Sequence, residues 1–243
     1  MKSLAEKLEI ENELSYTKLV VVNGATKTEE KKENKVLKGI NLVAKRIIDI
    51  LGAIVGILIL VPLTIVVAIV NFVSGERGPV FYFQERIGKD GEKFKIYKFR
   101  TMVVDAQERL EKLLAESEEI RKEWEENRKL KNDPRITKIG NILRKTSLDE
   151  FPQFVNVLMG TMSLVGPRAV IEDELEKFGE QKDKILSVKP GITGYWAANG
   201  RSDTSYEERV EMESTYVDEF SVWLDIKLLF KTVWSVVKKE GAV

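Results

Sequence analysis

Two adjacent acids, Asp149 and Glu150, are the residues of this sequence best suited to chemistry, and they lie within residues 145–153. One interpretation is a helix start, because Ser147 and Glu150 have the spacing of a capping box. Pro152 favours a second interpretation, since proline prefers the first helical position and would leave both acids in the preceding turn. There they could hold Mg²⁺ with an anionic ligand, and an aspartate can attack phosphorus as a nucleophile. The residue types alone leave both interpretations open.

The composition restricts the chemistry that this chain can perform. Its 243 residues include no cysteine and no histidine. These absences exclude disulfides, thiolate nucleophiles, sulfur or imidazole metal ligands and Ser-His-Asp catalysis. Any metal would be a hard ion bound by oxygen, with Mg²⁺ the default. Lys+Arg and Asp+Glu number 39 each, so bulk charge gives no argument for nucleic acid as a partner.

Basic residues recur in short runs, and several of them adjoin glycine or proline turns. A turn such as Gly166-Pro167-Arg168 can bring backbone amides and a guanidinium to one point, which suits a diphosphate. Single basic residues are usually solvated surface, so this pattern by itself is nonspecific. The runs are Lys93, Lys95, Lys98 and Arg100, then Arg135, Lys138, Arg144 and Lys145, then Arg168.

An apolar run predicts where these polar groups stand relative to a membrane. Ile50 to Gly75 contains no charged residue over 26 positions, which exceeds the roughly 20 residues of a membrane helix. Pro62 lies near its middle, lacks an N–H donor and crowds the carbonyl of Leu58. Two courses fit this pattern, a kinked helix that spans the membrane and a re-entrant helix. Each half is roughly 18–20 Å long and too short to cross alone, so a strongly bent helix would not span. Basic residues flank both ends, which fits both ends staying cytoplasmic.

The chain divides into three predicted parts: residues 1–38 as a polar extension, 39–76 as the membrane helix and 77–243 as a cytoplasmic domain. The extension lacks the apolar core of a secretory signal. Imperfect alternation around a turn at residues 88–91 predicts two short strands within Val80 to Met102. Residues 160–167 are predicted to be a loop. Apolar spacing predicts helices over Ala106–Leu130, near Ile142, over Phe151–Met159, Glu172–Leu186 and Glu207–Phe220, and over Leu224–Val237.

The last predicted helix, Leu224–Val237, is strongly apolar and carries Trp234, with Trp223 just before it. Tryptophan suits the membrane–water interface, so this helix could lie on the bilayer surface. Packing in the core of the domain explains the same pattern equally well.

From about Lys45 to the C-terminus the chain resembles the bacterial sugar transferases, also called monotopic phosphoglycosyl transferases. The resemblance rests on motifs in a fixed order, and their combination is very specific. The motifs are Lys45-Arg46 to Asp49, Gln84-Glu85-Arg86-Ile87-Gly88, Tyr97-Lys98-Phe99-Arg100-Thr101-Met102, Asp133-Pro134-Arg135-Ile136-Thr137, Leu143-Arg144-Lys145-Thr146-Ser147-Leu148-Asp149-Glu150, Met162-Ser163-Leu164-Val165-Gly166-Pro167-Arg168, Lys189-Pro190-Gly191-Ile192-Thr193-Gly194 and Asn199-Gly200-Arg201.

The resemblance implies an α/β fold with mostly helices and a small β hairpin. It also implies a monotopic membrane protein, with an N-terminal re-entrant helix hairpin broken at Pro62. A cytoplasmic catalytic domain and interfacial C-terminal helices would follow. The active site would face the cytoplasm at the inner membrane. Membrane lipid would be a partner, and a homodimer is left open.

The resemblance also implies the reaction. A sugar 1-phosphate would pass from a UDP-sugar to polyprenyl (undecaprenyl) phosphate, the first membrane step of polysaccharide or glycoconjugate assembly. Asp149 would attack the phosphorus next to the sugar, release UMP and carry the phosphosugar. Glu150 would help to bind Mg²⁺, together with Asp149, or assist proton transfer. The residues expected to bind the substrate are Lys98, Arg100, Arg144, Arg168 and Arg201.

Three positions depart from the family pattern. Val61 stands where a serine often precedes the membrane proline, which weakens the hairpin prediction because a hydroxyl could satisfy freed backbone groups. Thr161 replaces a usual aspartate and Ala169 a usual proline, which bears on loop geometry and sugar choice. The alternative function is a non-catalytic membrane scaffold for envelope polysaccharide assembly. Loss of a dyad acid would favour that alternative, but both acids are present.

Overall fold

The structure is a computed structural model that describes residues 4–127, 130–200 and 204–238. The described chain is mostly helical, with two sheets of two strands each. Its internal contacts divide it into two units, Met1–Arg46 and Ile47–Val243. The predicted combination of mostly helices with a small β hairpin is confirmed.

Helix α1 spans Leu4–Val73 and contains Pro62. Its part Gly39–Val73, 35 residues long, is apolar and long enough to cross a membrane by length and composition. Within Ile47–Val243, α1 buries one stripe that includes Ala53, Leu60 and Val67 and exposes its other apolar side chains. The structure has one continuous helix across Pro62 and no turn between two helices. The re-entrant path describes a helix in a bilayer, and it stays a prediction.

The predicted hairpin consists of β1 (Phe81–Ile87) and β2 (Lys93–Phe99), which pair antiparallel. A short 3-10 turn at Lys89–Gly91 joins them, and this is the predicted turn. The rings of Phe81 and Phe99 stack with centroids 5.4 Å apart at the far end. Strand β2 therefore lies against the core and carries Lys98 toward the site.

The prediction of one continuous helix over Ala106–Leu130 is wrong. The structure has α2 (Ala106–Glu116) and α3 (Glu118–Asn127), separated by Ser117 in an extended conformation. The Ser117 hydroxyl oxygen accepts a hydrogen bond from the backbone N–H of Ile120 at 3.3 Å. A side chain that caps a new helix start competes with continuation of the preceding helix, which explains the break.

Two short helices flank the acid pair, α4 (Lys138–Lys145) and α5 (Gln153–Met159). The residues after them, predicted to be a loop, contain strand β3 (Ser163–Val165). This strand pairs in parallel with β4 (Gly191–Thr193). The prediction missed this pairing because it joins three-residue strands that are far apart in the sequence.

The predicted helix Glu172–Leu186 is a 3-10 helix over Glu172–Gln181 followed by α6 (Lys182–Leu186). Gly179, inside the range Glu172–Gln181, adopts φ 51° and ψ −133°, which no α-helix permits. The remaining helices are α7 (Tyr195–Asn199), α8 (Tyr206–Glu219) and α9 (Val222–Lys238). The last two confirm the predicted C-terminal helices.

The main core joins α1, β2, α5, β3, α8 and α9 through apolar side chains such as Ala53, Leu164 and Leu228. Helix α9 belongs to this core on one face only, since Leu228 is 3% exposed whereas Trp223 and Phe230 are each 75% exposed. The core-packing interpretation is therefore confirmed for one face of α9, and its place on a bilayer surface stays a prediction.

Candidate active site

The two acids lie in a 3-10 turn, Leu148–Glu150, between α4 and α5. Pro152 directly precedes α5, as the second interpretation predicts. Ser147 has a left-handed conformation, φ 55° and ψ 17°, and its side chain caps nothing, so the capping-box interpretation is wrong. A left-handed residue with a side chain costs roughly 1–2 kcal/mol. That conformation turns the chain sharply between Ser147 and Pro152 and presents both carboxylates on one short turn.

Lys98 and Glu150 form an ion pair, with 2.7 Å between the Lys98 Nζ and the Glu150 Oε1. Burial raises the pKa of Glu150, but the positive charges of Lys98 and Arg168 outweigh this effect. Hydrogen bonds from Lys98 and Gln153 act in the same direction, and together they lower the pKa of Glu150 to about 2. Glu150 is therefore a carboxylate at neutral pH.

Asp149 differs from its neighbour in the balance of these effects. Burial raises the pKa of Asp149, and the negative charge of Glu150 raises it further. The positive charges of Lys98 and Arg144 oppose that rise without cancelling it. A pair of acids with pKa values pushed apart suits a division of roles. Here Lys98 engages Glu150, while the pKa of Asp149 stays raised.

Helix α4 places Arg144 beside Asp149. The Thr137 hydroxyl accepts a hydrogen bond from the Gly140 N–H at 2.9 Å and caps the helix start. A Cβ at position 140 would overlap the carbonyl of Thr101, so glycine allows α4 to approach the end of the hairpin. Arg144 then donates from its Nε to the Thr101 Oγ1 at 2.9 Å, which fixes the guanidinium.

A cavity next to the acids brings together residues of β2, α5, the end of β3, β4, α7 and α8. Arg168, after β3, lies in it with Lys98 and Glu150. A Cβ at Gly194 would overlap the carbonyl of Gly166, so the backbone after β4 lies directly against that after β3. The lining residues are Arg86, Ile96, Lys98, Glu150, Gln153, Gly166, Arg168, Ala169, Gly191, Ile192, Thr193, Gly194, Trp196, Ala197 and Glu213.

Sequence reasoning missed five polar or aromatic residues of this cavity: Arg86, Gln153, Thr193, Trp196 and Glu213. Arg86 was quoted within a motif but given no role. Its Nη2 donates to the Gln84 Oε1 at 2.8 Å, and its charge acts on Glu150. A signal for Glu213 existed, because it follows Val210 by three residues and so shares the apolar face of α8.

Two of the predicted substrate-binding residues that the structure describes, Arg100 and Arg144, do not line this cavity, and neither does Asp149. Arg100 is 9% exposed, and its guanidinium lies against Gly78 and Val104. Within the described residues it does not line the cavity that holds Lys98 and Arg168. Arg201 lies outside the described residues.

The donor atoms near the acids fit Mg²⁺ shared with a substrate. No group of three or more acidic residues that could hold a metal exists in the part of the chain that the structure describes. Asp149 and Glu150 supply two adjacent carboxylates, and Mg²⁺ commonly binds one or two carboxylates together with substrate phosphates and water. The residues therefore suit an ion that arrives with a diphosphate.

Residues 40–239 match the family described as bacterial sugar transferase. The chain belongs to that family, which confirms the resemblance of its motifs.

Among its relatives is a UDP-galactose-lipid carrier transferase of Erwinia amylovora, 49% identical over 209 residues, or 86% of this chain and 43% of the relative. The exopolysaccharide production protein ExoY of Rhizobium meliloti is 43% identical over 86% of this chain and 92% of its own length. A UDP-glucose:undecaprenyl-phosphate glucose-1-phosphate transferase of Escherichia coli is 39% identical over 85% of this chain and 43% of its own. The chain thus spans less than half the length of the first and third of these relatives.

Proposed function

We propose that this protein transfers a sugar 1-phosphate from a UDP-sugar to polyprenyl phosphate at a membrane. The observation that carries the proposal is the acid pair itself, in which Lys98 engages Glu150 while Asp149 stays half-buried beside Arg144. The names of the Erwinia and Escherichia relatives, which specify a UDP-sugar and a lipid carrier, support the same reaction.

The first step is the attack of an Asp149 carboxylate oxygen on the phosphorus next to the sugar. An oxygen–phosphorus bond forms at Asp149, and the bond from that phosphorus to the bridging oxygen breaks. UMP leaves with the electron pair. In the second step a polyprenyl phosphate oxygen attacks the same phosphorus, which forms the lipid diphosphate and releases the Asp149 carboxylate.

The remaining charged residues stabilise the phosphates. Lys98, Arg144 and Arg168 donate to phosphate oxygens whose negative charge grows as UMP leaves. Asp149 and Glu150 would hold Mg²⁺, which when bound neutralises charge on the diphosphate. The low pKa of Glu150 makes it a weak proton acceptor, so we assign it to binding Mg²⁺ and not to proton transfer.

We infer a re-entrant course for the apolar part of α1, with the site on the cytoplasmic face of the inner membrane. Pro62 inside α1 and basic residues on both sides of the apolar run support this course. Exposed apolar side chains on α1, such as Leu58 and Ile65, and on α9, such as Trp223, offer surfaces for lipid.

The test compares wild-type protein with Asp149→Asn in membranes, by UMP release from a panel of UDP-sugars. We expect turnover to fall by several orders of magnitude, because an amide is a poor nucleophile. Mass spectrometry of the wild type should find a phosphosugar on the peptide that contains Asp149. Asp173→Asn, a change at an exposed acid, is the matched control and should leave turnover unchanged. Near-normal turnover in Asp149→Asn would refute the nucleophile.

A further inference from the structure

Glu213, on α8, is a buried acid that the proposed reaction does not use. It is 2% exposed, and its Oε1 accepts a hydrogen bond from the backbone N–H of Arg168 at 3.0 Å. Its Oε2 is also buried and has no hydrogen-bond partner among the described residues. A buried acceptor without a donor costs about 1–3 kcal/mol, and more when it is charged. A ligand that supplies the missing hydrogen-bond donor would remove this cost, and the removal would add to its binding free energy.

Glu213 lies in the wall of the cavity that also holds Glu150. Glu213 lines that cavity together with Gly194 and Trp196. A Cβ at Gly194 would lie 3.9 Å from the Glu213 Oε2 and would overlap the carbonyl of Gly166, so this oxygen lies close to the backbone of two other lining residues. Because Glu213 lines this cavity and its Oε1 is held by the N–H of Arg168, Oε2 is the oxygen left for a molecule that occupies the same cavity as Glu150.

The neighbouring arginines do not supply the hydrogen bond that the Glu213 Oε2 lacks within the described residues. Arg209 lies with its guanidinium over the rings of Trp196, at 4.9 Å, and Tyr206, at 5.1 Å. Its Nη1 is 3.4 Å from the Glu174 Oε2, so Glu174 takes the ion pair that Glu213 lacks within the described residues. Burial raises the pKa of Glu213 to about 7, although Arg168 and Arg209 oppose that rise.

The position of Glu213 selects the part of the substrate that it can contact. A carboxylate repels phosphates, which belong beside Lys98 and Arg168. The neutral group joined directly to the attacked phosphorus is the sugar, so the sugar must lie near the acid pair. Sugar hydroxyls donate hydrogen bonds, and the indole of Trp196 offers an apolar wall beside them.

The geometry points to Glu213 as a specificity-determining residue whose Oε2 accepts a hydrogen bond from a hydroxyl of the transferred sugar. This inference rests on the proposed function. A hydroxyl that meets this acceptor is favoured over an epimer that leaves it unpaired, as in other sites built to bind a particular hydroxyl.

The variant Glu213→Gln tests the inference, because glutamine keeps an oxygen for the Arg168 N–H and replaces Oε2 with an NH₂ donor. We expect KM for the preferred UDP-sugar to rise roughly tenfold or more. Inhibition by UMP, which has no sugar, should stay unchanged. The matched control is Glu211→Gln, on the exposed face of the same helix. Thermal unfolding should verify that both variants are folded.

Substrates that lack one sugar hydroxyl at a time locate the contact. The wild type should bind one of these deoxy substrates as weakly as Glu213→Gln binds the full UDP-sugar. Glu213→Gln should bind that deoxy substrate no more weakly than it binds the full UDP-sugar. An unchanged KM in the variant, or an equal loss of UMP and UDP-sugar binding, would overturn the role of Glu213. Absence of UMP release by the wild type with every UDP-sugar would instead overturn the proposed function, and the sugar contact with it.

Discussion

The carboxylate of Asp49, on α1, accepts a hydrogen bond from the hydroxyl of Ser163, on β3, at 2.9 Å. The same oxygen accepts the backbone N–H of Leu164, also at 2.9 Å, and Asp49 is only 4% exposed. Strand β3 leads directly to Arg168 in the cavity. The apolar helix is thus bonded to the strand that carries one wall of the site.

Asp49→Ala should destabilise the folded protein by about 2–4 kcal/mol, because two buried donors lose a charged acceptor. Thermal unfolding in detergent measures the effect as a lower melting temperature. Asp173→Ala, at an exposed acid in the same protein, should change stability by no more than about 0.5 kcal/mol. Equal melting temperatures for the two variants would show that Asp49 does not hold β3 on α1.

Arg144→Met should move the acid limb of the pH–rate profile to higher pH. The nucleophile must be ionised, so the rate falls as pH decreases through the raised pKa of Asp149. Arg144 opposes that rise, and its removal therefore raises the pKa of Asp149 further. Measurements of kcat/KM from about pH 5 to 9 give the position of the limb, and Arg144→Lys should keep it because the charge remains. A limb that stays in place in Arg144→Met would contradict the assignment of Asp149.

Glu213→Gln should stabilise the substrate-free protein more at pH 8 than at pH 5. The folded pKa of Glu213 is raised from 4.5 to about 7, so protonation favours the folded state at low pH. That contribution is complete below about pH 4.5 and is lost as pH rises through about 7, at a cost of roughly 3 kcal/mol. Glutamine does not titrate and avoids this loss. The melting temperatures of the variant and the wild type are compared at the two pH values. A difference between the two proteins that is the same at both pH values would contradict the prediction.

Lys38→Cys should resist a membrane-impermeant maleimide in intact cells and react after permeabilisation. A re-entrant helix keeps both positions 38 and 89 in the cytoplasm, and the chain has no other thiol. Pro62→Leu restores a hydrogen-bond donor and relieves a clash worth roughly 3 kcal/mol, so the straightened helix should span and expose position 38. Labelling of Lys38→Cys in intact cells without the proline change would establish a spanning helix. That result would not contradict the proposed transferase reaction.

The sequence predicted those features that depend on neighbours along the chain. Pro152 next to the acid pair predicted their turn, and the turn at residues 88–91 predicted the hairpin. The parallel pair Ser163–Val165 and Gly191–Thr193 escaped prediction, because strands of three residues have no measurable alternation and their partners are remote. The same strands precede and receive the segment that holds Arg168 beside Glu213, so the sequence named Arg168 but not its neighbour Glu213.

The position of Glu213 on α8 also has a consequence for biosynthesis. Val73, at the end of α1, emerges from the ribosome 140 residues before Glu213 completes the wall of the cavity. At about 5–20 residues per second that interval is roughly 7–28 s. Under the proposed function, the nascent chain would reach the membrane before it could bind a nucleotide sugar. The protein would then become competent only at the membrane that holds its lipid acceptor.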